Sequence, residues 1–186
     1  MKRICIHWTA GTGFPSEFEK QHYHRLVDYR GDIYPGKKPP EVNLPKNGKY
    51  LTEADDYVAH CGGGNSFCIG WALCGMAGFV NPQKPGSNLL RKMQFEKACY
   101  GIARDCNLYH IPVTPETVFT HYEFGKANPN TPSRGKIDII WLPFRPDIPA
   151  NKVGAFFRST VNWYLQKIKN VEDQARGRTA PTPDKP

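Results

Sequence analysis

The sequence predicts an α/β fold: one domain with a central mixed β-sheet flanked by helices, closed by a C-terminal amphipathic helix. Three observations lead there. Two short apolar runs, at residues 4–8 and 67–73, are bounded by glycines and have the length of buried strands. Two longer stretches, 87–106 and 151–170, repeat their apolar residues at helical spacing. Finally, 186 residues suffice to bury one core unaided, and the chain carries no internal repeat.

In chain order, Arg3 to Trp8 opens as a strand rich in isoleucine and breaks at Gly11 and Gly13, so His7 stands near a strand end facing a loop. A histidine so placed is either a satisfied polar residue or a ligand, and only partners elsewhere can decide. Ser16 starts a helix whose Glu17 and Glu19 suit the positive end of its dipole. Residues 23–29 read as a strand, with Arg30-Gly31-Asp32 turning into Ile33-Tyr34 as a hairpin. Residues 35–56 have no periodicity and predict a long surface loop.

A glycine-rich loop carrying His60, Cys61 and Asn65 leads into the central strand at 67–73. Ser87 is expected to cap a helix through Cys106, with Leu89, Leu90, Met93, Cys99, Ile102, Ala103 and Cys106 facing the core. Val118-Phe119-Thr120 is a short strand that delivers His121 at its end, and a polar loop at 124–135 precedes Lys136-Ile137-Asp138. In the last helix Val153, Phe156, Phe157, Thr160, Val161, Tyr164, Leu165 and Ile168 form an apolar stripe, while Lys152, Arg158, Lys167 and Lys169 read as a solvated face. The domain is expected to occupy residues 1–170, with 171–186 a disordered tail.

The composition excludes some functions. The net charge of +8 calls for an anionic partner or surroundings, but Lys and Arg are dispersed and no nucleic-acid-binding motif is present. The six cysteines lack zinc-knuckle spacing and read as buried free thiols. Cys61 beside His60 does not suit a thiol hydrolase, because adjacent residues of an extended chain point to opposite faces. The basic start Met1-Lys2-Arg3 is followed by no signal-peptide pattern, so the expectation is a chain made in the cytoplasm, monomeric and without a membrane anchor. His7, His121 and Asp138 are two imidazoles and a carboxylate, a set that suits a zinc ion with an open fourth position.

Several motifs occur in a fixed order: Ile6-His7-Trp8-Thr9-Ala10-Gly11; Tyr23-His24-Arg25-Leu26-Val27-Asp28 followed by Gly31-Asp32-Ile33-Tyr34; Ala59-His60 with Asn65 before Ile69-Gly70; Thr120-His121-Tyr122-Glu123; and Lys136-Ile137-Asp138. In this combination the chain resembles, over residues 4–142, the zinc-dependent N-acetylmuramoyl-L-alanine amidases, which are related to the peptidoglycan recognition proteins. The resemblance implies zinc held by His7, His121 and Asp138, catalytic roles for Lys136 and Tyr23, and substrate contacts from His60 and Asn65. It also implies a peptidoglycan hydrolase of the phage-endolysin kind, acting on the wall after release; a non-catalytic peptidoglycan binder is the alternative. The chain departs from the pattern in the central strand, where Ala72 occupies the place of a glutamate base found in some amidases, which leaves Tyr23 a larger share of the chemistry.

Overall fold

The computed structural model describes residues 1–46, 50–52, 55–175 and 177. Its elements run β1 (Arg3–Trp8), α1 (Glu19–His22), β2 (Arg25–Val27), β3 (Ile33–Pro35), β4 (Cys68–Leu73), α2 (Lys92–Leu108), β5 (Val118–Thr120), α3 (His121–Ala127) and α4 (Val153–Ala175). They form one α/β domain around a five-stranded mixed sheet of order β3-β2-β4-β1-β5, in which only the β2–β3 hairpin is antiparallel.

The two central strands have different faces. In β1 and β4 the parallel register pairs Ile4 with Ile69, Ile6 with Trp71 and Trp8 with Leu73, and these side chains join α2 and α4 in the main core. The alternate residues pair Cys5 with Gly70 and His7 with Ala72 on the opposite face, where Cys5, Cys61, Cys68, Phe119 and Phe124 make a smaller cluster. One face of the sheet is therefore filled with large aliphatic and aromatic groups. The other is kept short, and the histidines collect there. All six cysteines are buried free thiols.

On the large face α2 comes close enough that a β-carbon at Gly101 would meet the Trp71 ring at 2.2 Å, while the Trp71 Nε1 donates to Asp105 (2.9 Å). The stripe of α4 packs on α2 through Phe95, whose ring stacks on Phe156 and meets Phe157 edge-on with centroids 4.6 Å apart.

Several local expectations are corrected. Ser87 does not cap α2: its backbone pairs with Ala77, and the helix begins after Arg91, whose amide donates to the Gln94 side chain. Leu89 and Met93 consequently lie outside the buried stripe and are exposed. Tyr23 ends α1 instead of starting a strand, and α1 is a single turn that starts at Glu19, later than Ser16, whose hydroxyl and amide both donate to the Glu19 carboxylate. The expected loop at 35–56 contains a 3-10 turn at Pro40–Asn43 with Asn43 buried on Val58; residues 47–49 and 53–54 of it lie outside the described set. Arg158 is not a solvated cation, since its guanidinium grips both oxygens of Glu123 and the Val118 carbonyl. Helix α4 continues through residues 171–175 of the expected tail, where the Glu172 carboxylate accepts from the Asn107 side chain of α2; 176 and 178–186 lie outside the described residues. Among the described residues no helix is long and apolar enough to cross a membrane.

Candidate metal centre

Three segments bring His7, His121 and Asp138 together at the carboxyl ends of the parallel strands, where open α/β sheets bind ligands. His7 is fully buried on β1, held between β4 and β5. His121 is the first residue of α3, and its position is set by a capping box: the Thr120 hydroxyl accepts from the Glu123 amide and the Glu123 carboxylate accepts from the Thr120 amide. Asp138 comes from an irregular segment, yet it is anchored by its neighbours, because Ile139 and Leu142 are fully buried in the main core. A single oxygen, Asp138 Oδ2, lies 3.0 Å from His7 Nδ1 and 3.1 Å from His121 Nδ1.

The hydrogen bonds around these groups determine which nitrogens carry protons. The Ser133 hydroxyl donates to the Gly62 carbonyl (2.8 Å), so it can only accept from His121 Nε2 (2.9 Å). The His60 Nε2 faces the Cys68 carbonyl (3.3 Å) and must carry the proton of that ring, which makes His60 Nδ1 the acceptor for His7 Nε2 (3.2 Å). In its neutral form each imidazole thus spends its one proton on Nε2. Their Nδ1 lone pairs then point at a carboxylate oxygen with no hydrogen between them, and burial keeps His7 neutral by lowering its pKa to about 4. Three lone pairs converging on one point repel unless a cation lies among them.

The donor set fits a metal ion. Two donors on one tetrahedral ion with bonds of about 2.0–2.1 Å are separated by about 3.3 Å, close to the 3.0 and 3.1 Å found here. Each imidazole also has the outer acceptor that a metal-ligating histidine uses to fix its ring, Ser133 for His121 and His60 for His7. Asp138 is held ionised: burial alone would raise its pKa, but the two imidazoles that face its carboxylate, His121 and His7, outweigh that and bring it far below the usual carboxylate range.

The remaining residues singled out from sequence divide into two groups. Tyr23 lies against His7, ring centroids 5.2 Å apart, and burial with the Asp138 charge raises its pKa, so it stays a neutral donor. Lys136 is exposed at the rim, near enough for its charge to help lower the His7 pKa. His60 and Asn65 are instead parts of the support. Both ring nitrogens of His60 are engaged as described, and the Asn65 side chain closes the loop by accepting from the His60 and Cys61 amides. Ser133 was not legible in sequence: it is one polar residue within a polar loop, and only its burial at 0% exposure marks it. Ser133→Ala is expected to weaken metal binding about 10- to 100-fold, measured by competition with a chromogenic chelator; unchanged affinity would show that Ser133 does not support the His121 ligand.

Three buried histidines have lowered pKa values through desolvation: His7 and His24 to about 4, and His60 well below its ordinary value. His24 is neutral by design of the sheet, since its Nδ1 accepts from the Gly70 amide (2.8 Å). Unfolding lets each ring bind a proton below pH ~6.5, so their contribution is present above that pH and is lost as pH falls from there towards 4. At pH 5 the loss is about 2 kcal/mol for each of His7 and His24. The metal-free protein should therefore melt roughly 10 °C lower at pH 5 than at pH 7.5 by circular dichroism, and equal melting temperatures would contradict neutral burial of these rings. Compared with known proteins, no protein-family model matches the chain and no curated protein matches it.

Proposed function

We propose that the chain is a zinc-dependent N-acetylmuramoyl-L-alanine amidase, a peptidoglycan hydrolase that cleaves the amide between the lactyl group of N-acetylmuramic acid and L-alanine. The observation that supports a metal hydrolase is the convergence of His7 Nδ1, His121 Nδ1 and Asp138 Oδ2 with every imidazole proton used elsewhere. The substrate class is supported by the ordered motifs from Ile6-His7-Trp8 to Lys136-Ile137-Asp138. When bound, zinc supplies Lewis acidity for activating a water and polarising the amide carbonyl.

The chain's own residues do the rest. Two neutral imidazoles and one carboxylate leave an ion with net positive charge, and the partial exposure of the Asp138 side chain (17%) leaves one side open. Tyr23, neutral and next to His7, orients the attacking water and relays its proton, giving its phenolic proton to the departing amine as it takes one from the water. Lys136 stabilises the oxyanion as a fixed positive charge at the rim. Ala72, directly across from His7 in the register, offers no carboxylate to act as base.

The test is digestion of purified peptidoglycan, followed by mass spectrometry for new L-alanine amino termini. They should appear with the zinc-loaded protein and vanish with a chelator. Binding to peptidoglycan without any new amino termini would instead support the non-catalytic reading. Lys136→Ala and Tyr23→Phe should each lower turnover about 10²- to 10⁴-fold while metal content stays unchanged. Wild-type turnover in Tyr23→Phe would reduce Tyr23 to a positioning residue.

A further inference from the structure

A second set of donors shares the His7 ring, with His60 on its Nε2 side. The Cys5 sulfur and one nitrogen from each of His7 and His60 lie within 4.8 Å of one another, and all three residues are buried. Cys5 and His7 are two residues apart on β1 and so share a face of the sheet. His60 reaches them from its loop by lying over Gly70, where a β-carbon would stand 2.7 Å from His60 Cγ. Nothing larger than glycine would admit the ring.

The separation of the two nitrogens already suits coordination. His7 Nε2 and His60 Nδ1 are 3.2 Å apart, against about 3.3 Å for two nitrogens on one tetrahedral ion, so a cation can replace the proton between them with little movement. The donor chemistry differs from that of the first site. One sulfur with two imidazoles favours soft and borderline cations, and a thiol gives up its proton outright on coordination. A neutral imidazole has one lone pair, which His7 can present to Asp138 through Nδ1 or to His60 through Nε2 but not to both.

We propose that Cys5, His7 and His60 form a second, thiolate-bearing cation site for a soft or borderline divalent ion, and that it excludes the first site because the two share His7. A soft ion taken up there withdraws His7 from Asp138 and His121. Uptake of an ion there is read by binding alone, apart from amide hydrolysis.

The experiment titrates the metal-free protein with Cd²⁺ and follows thiolate-to-cadmium charge-transfer absorption. The wild-type protein should saturate at one ion per chain with the full band, Asp138→Asn should give the same band, and Cys5→Ser should lose it. X-ray absorption at the cadmium edge of the wild-type complex, which needs no variant to fold, should show one sulfur neighbour together with nitrogen neighbours. A band that survives Cys5→Ser, or a cadmium ion with only nitrogen and oxygen neighbours, would overturn the site. A second ion bound alongside the first would overturn the exclusion.

Discussion

Asp138→Ala is expected to abolish the stabilisation that zinc gives the wild-type protein. An ion present at 1,000 times its Kd adds about 4 kcal/mol to the folded state, which for a chain of this size raises the melting temperature by roughly 8–16 °C. In the variant that rise should be absent at the same zinc concentration. The reason is geometric. Oδ2 of Asp138 lies close to both Nδ1 atoms, at 3.0 and 3.1 Å, and it supplies the only negative charge among the three donors. Two neutral imidazoles alone leave a dication poorly neutralised in a buried site. The loss should exceed the ~10- to 100-fold expected for an outer-shell partner such as Ser133. A zinc-dependent melting shift of wild-type size in Asp138→Ala, read by differential scanning fluorimetry, would remove Asp138 from the centre.

Phe157→Ala should cost about 3–5 kcal/mol, or roughly 10 °C in melting temperature. Phe157 is fully buried on α4 and meets Phe95 of α2 edge-on, with Val153, Val161 and Leu165 buried along the same stripe, so no neighbour can easily fill the space it leaves. Removal of the chain from Asn151 onward should be more severe, because it strips the main core of a whole helix. It also removes Arg158, whose bidentate grip on Glu123 and bond to the Val118 carbonyl brace the strand and cap that place His121. The truncated protein should thus lose metal affinity along with stability. An unchanged melting temperature in either protein would contradict the packing.

What was legible in the sequence follows from how local each cause is. The strands β1 and β4 declare themselves through apolar runs whose length and flanking glycines are local facts, and α4 does so through its stripe. The ends of elements were less legible, because long-range partners decide them. Ser87 has the chemistry of a cap, but Ala77 takes its backbone into a bridge. The capping box Thr120-x-x-Glu123, by contrast, is a short motif that could have placed the start of α3 at His121 from sequence alone. At the site, sequence can nominate His7, His121 and Asp138 by residue type, yet it cannot say which atoms meet. The partners of His60 and Asn65 were not legible for the same reason: a polar residue in a loop can face outward or inward, and here both side chains turn inward to hydrogen-bond partners. The small face of the sheet that admits them depends on Gly70 and Ala72 lying opposite Cys5 and His7, a register no single segment encodes.

If proton placement turns three lone pairs onto one ion, anomalous diffraction at the zinc edge from crystals of the zinc-bound protein will locate that ion. The predicted result is one strong peak about 2.0–2.2 Å from His7 Nδ1, His121 Nδ1 and Asp138 Oδ2, with both Nε2 atoms still on their hydrogen-bond partners. A peak on the Nε2 side of either ring, or none at this position, would contradict it.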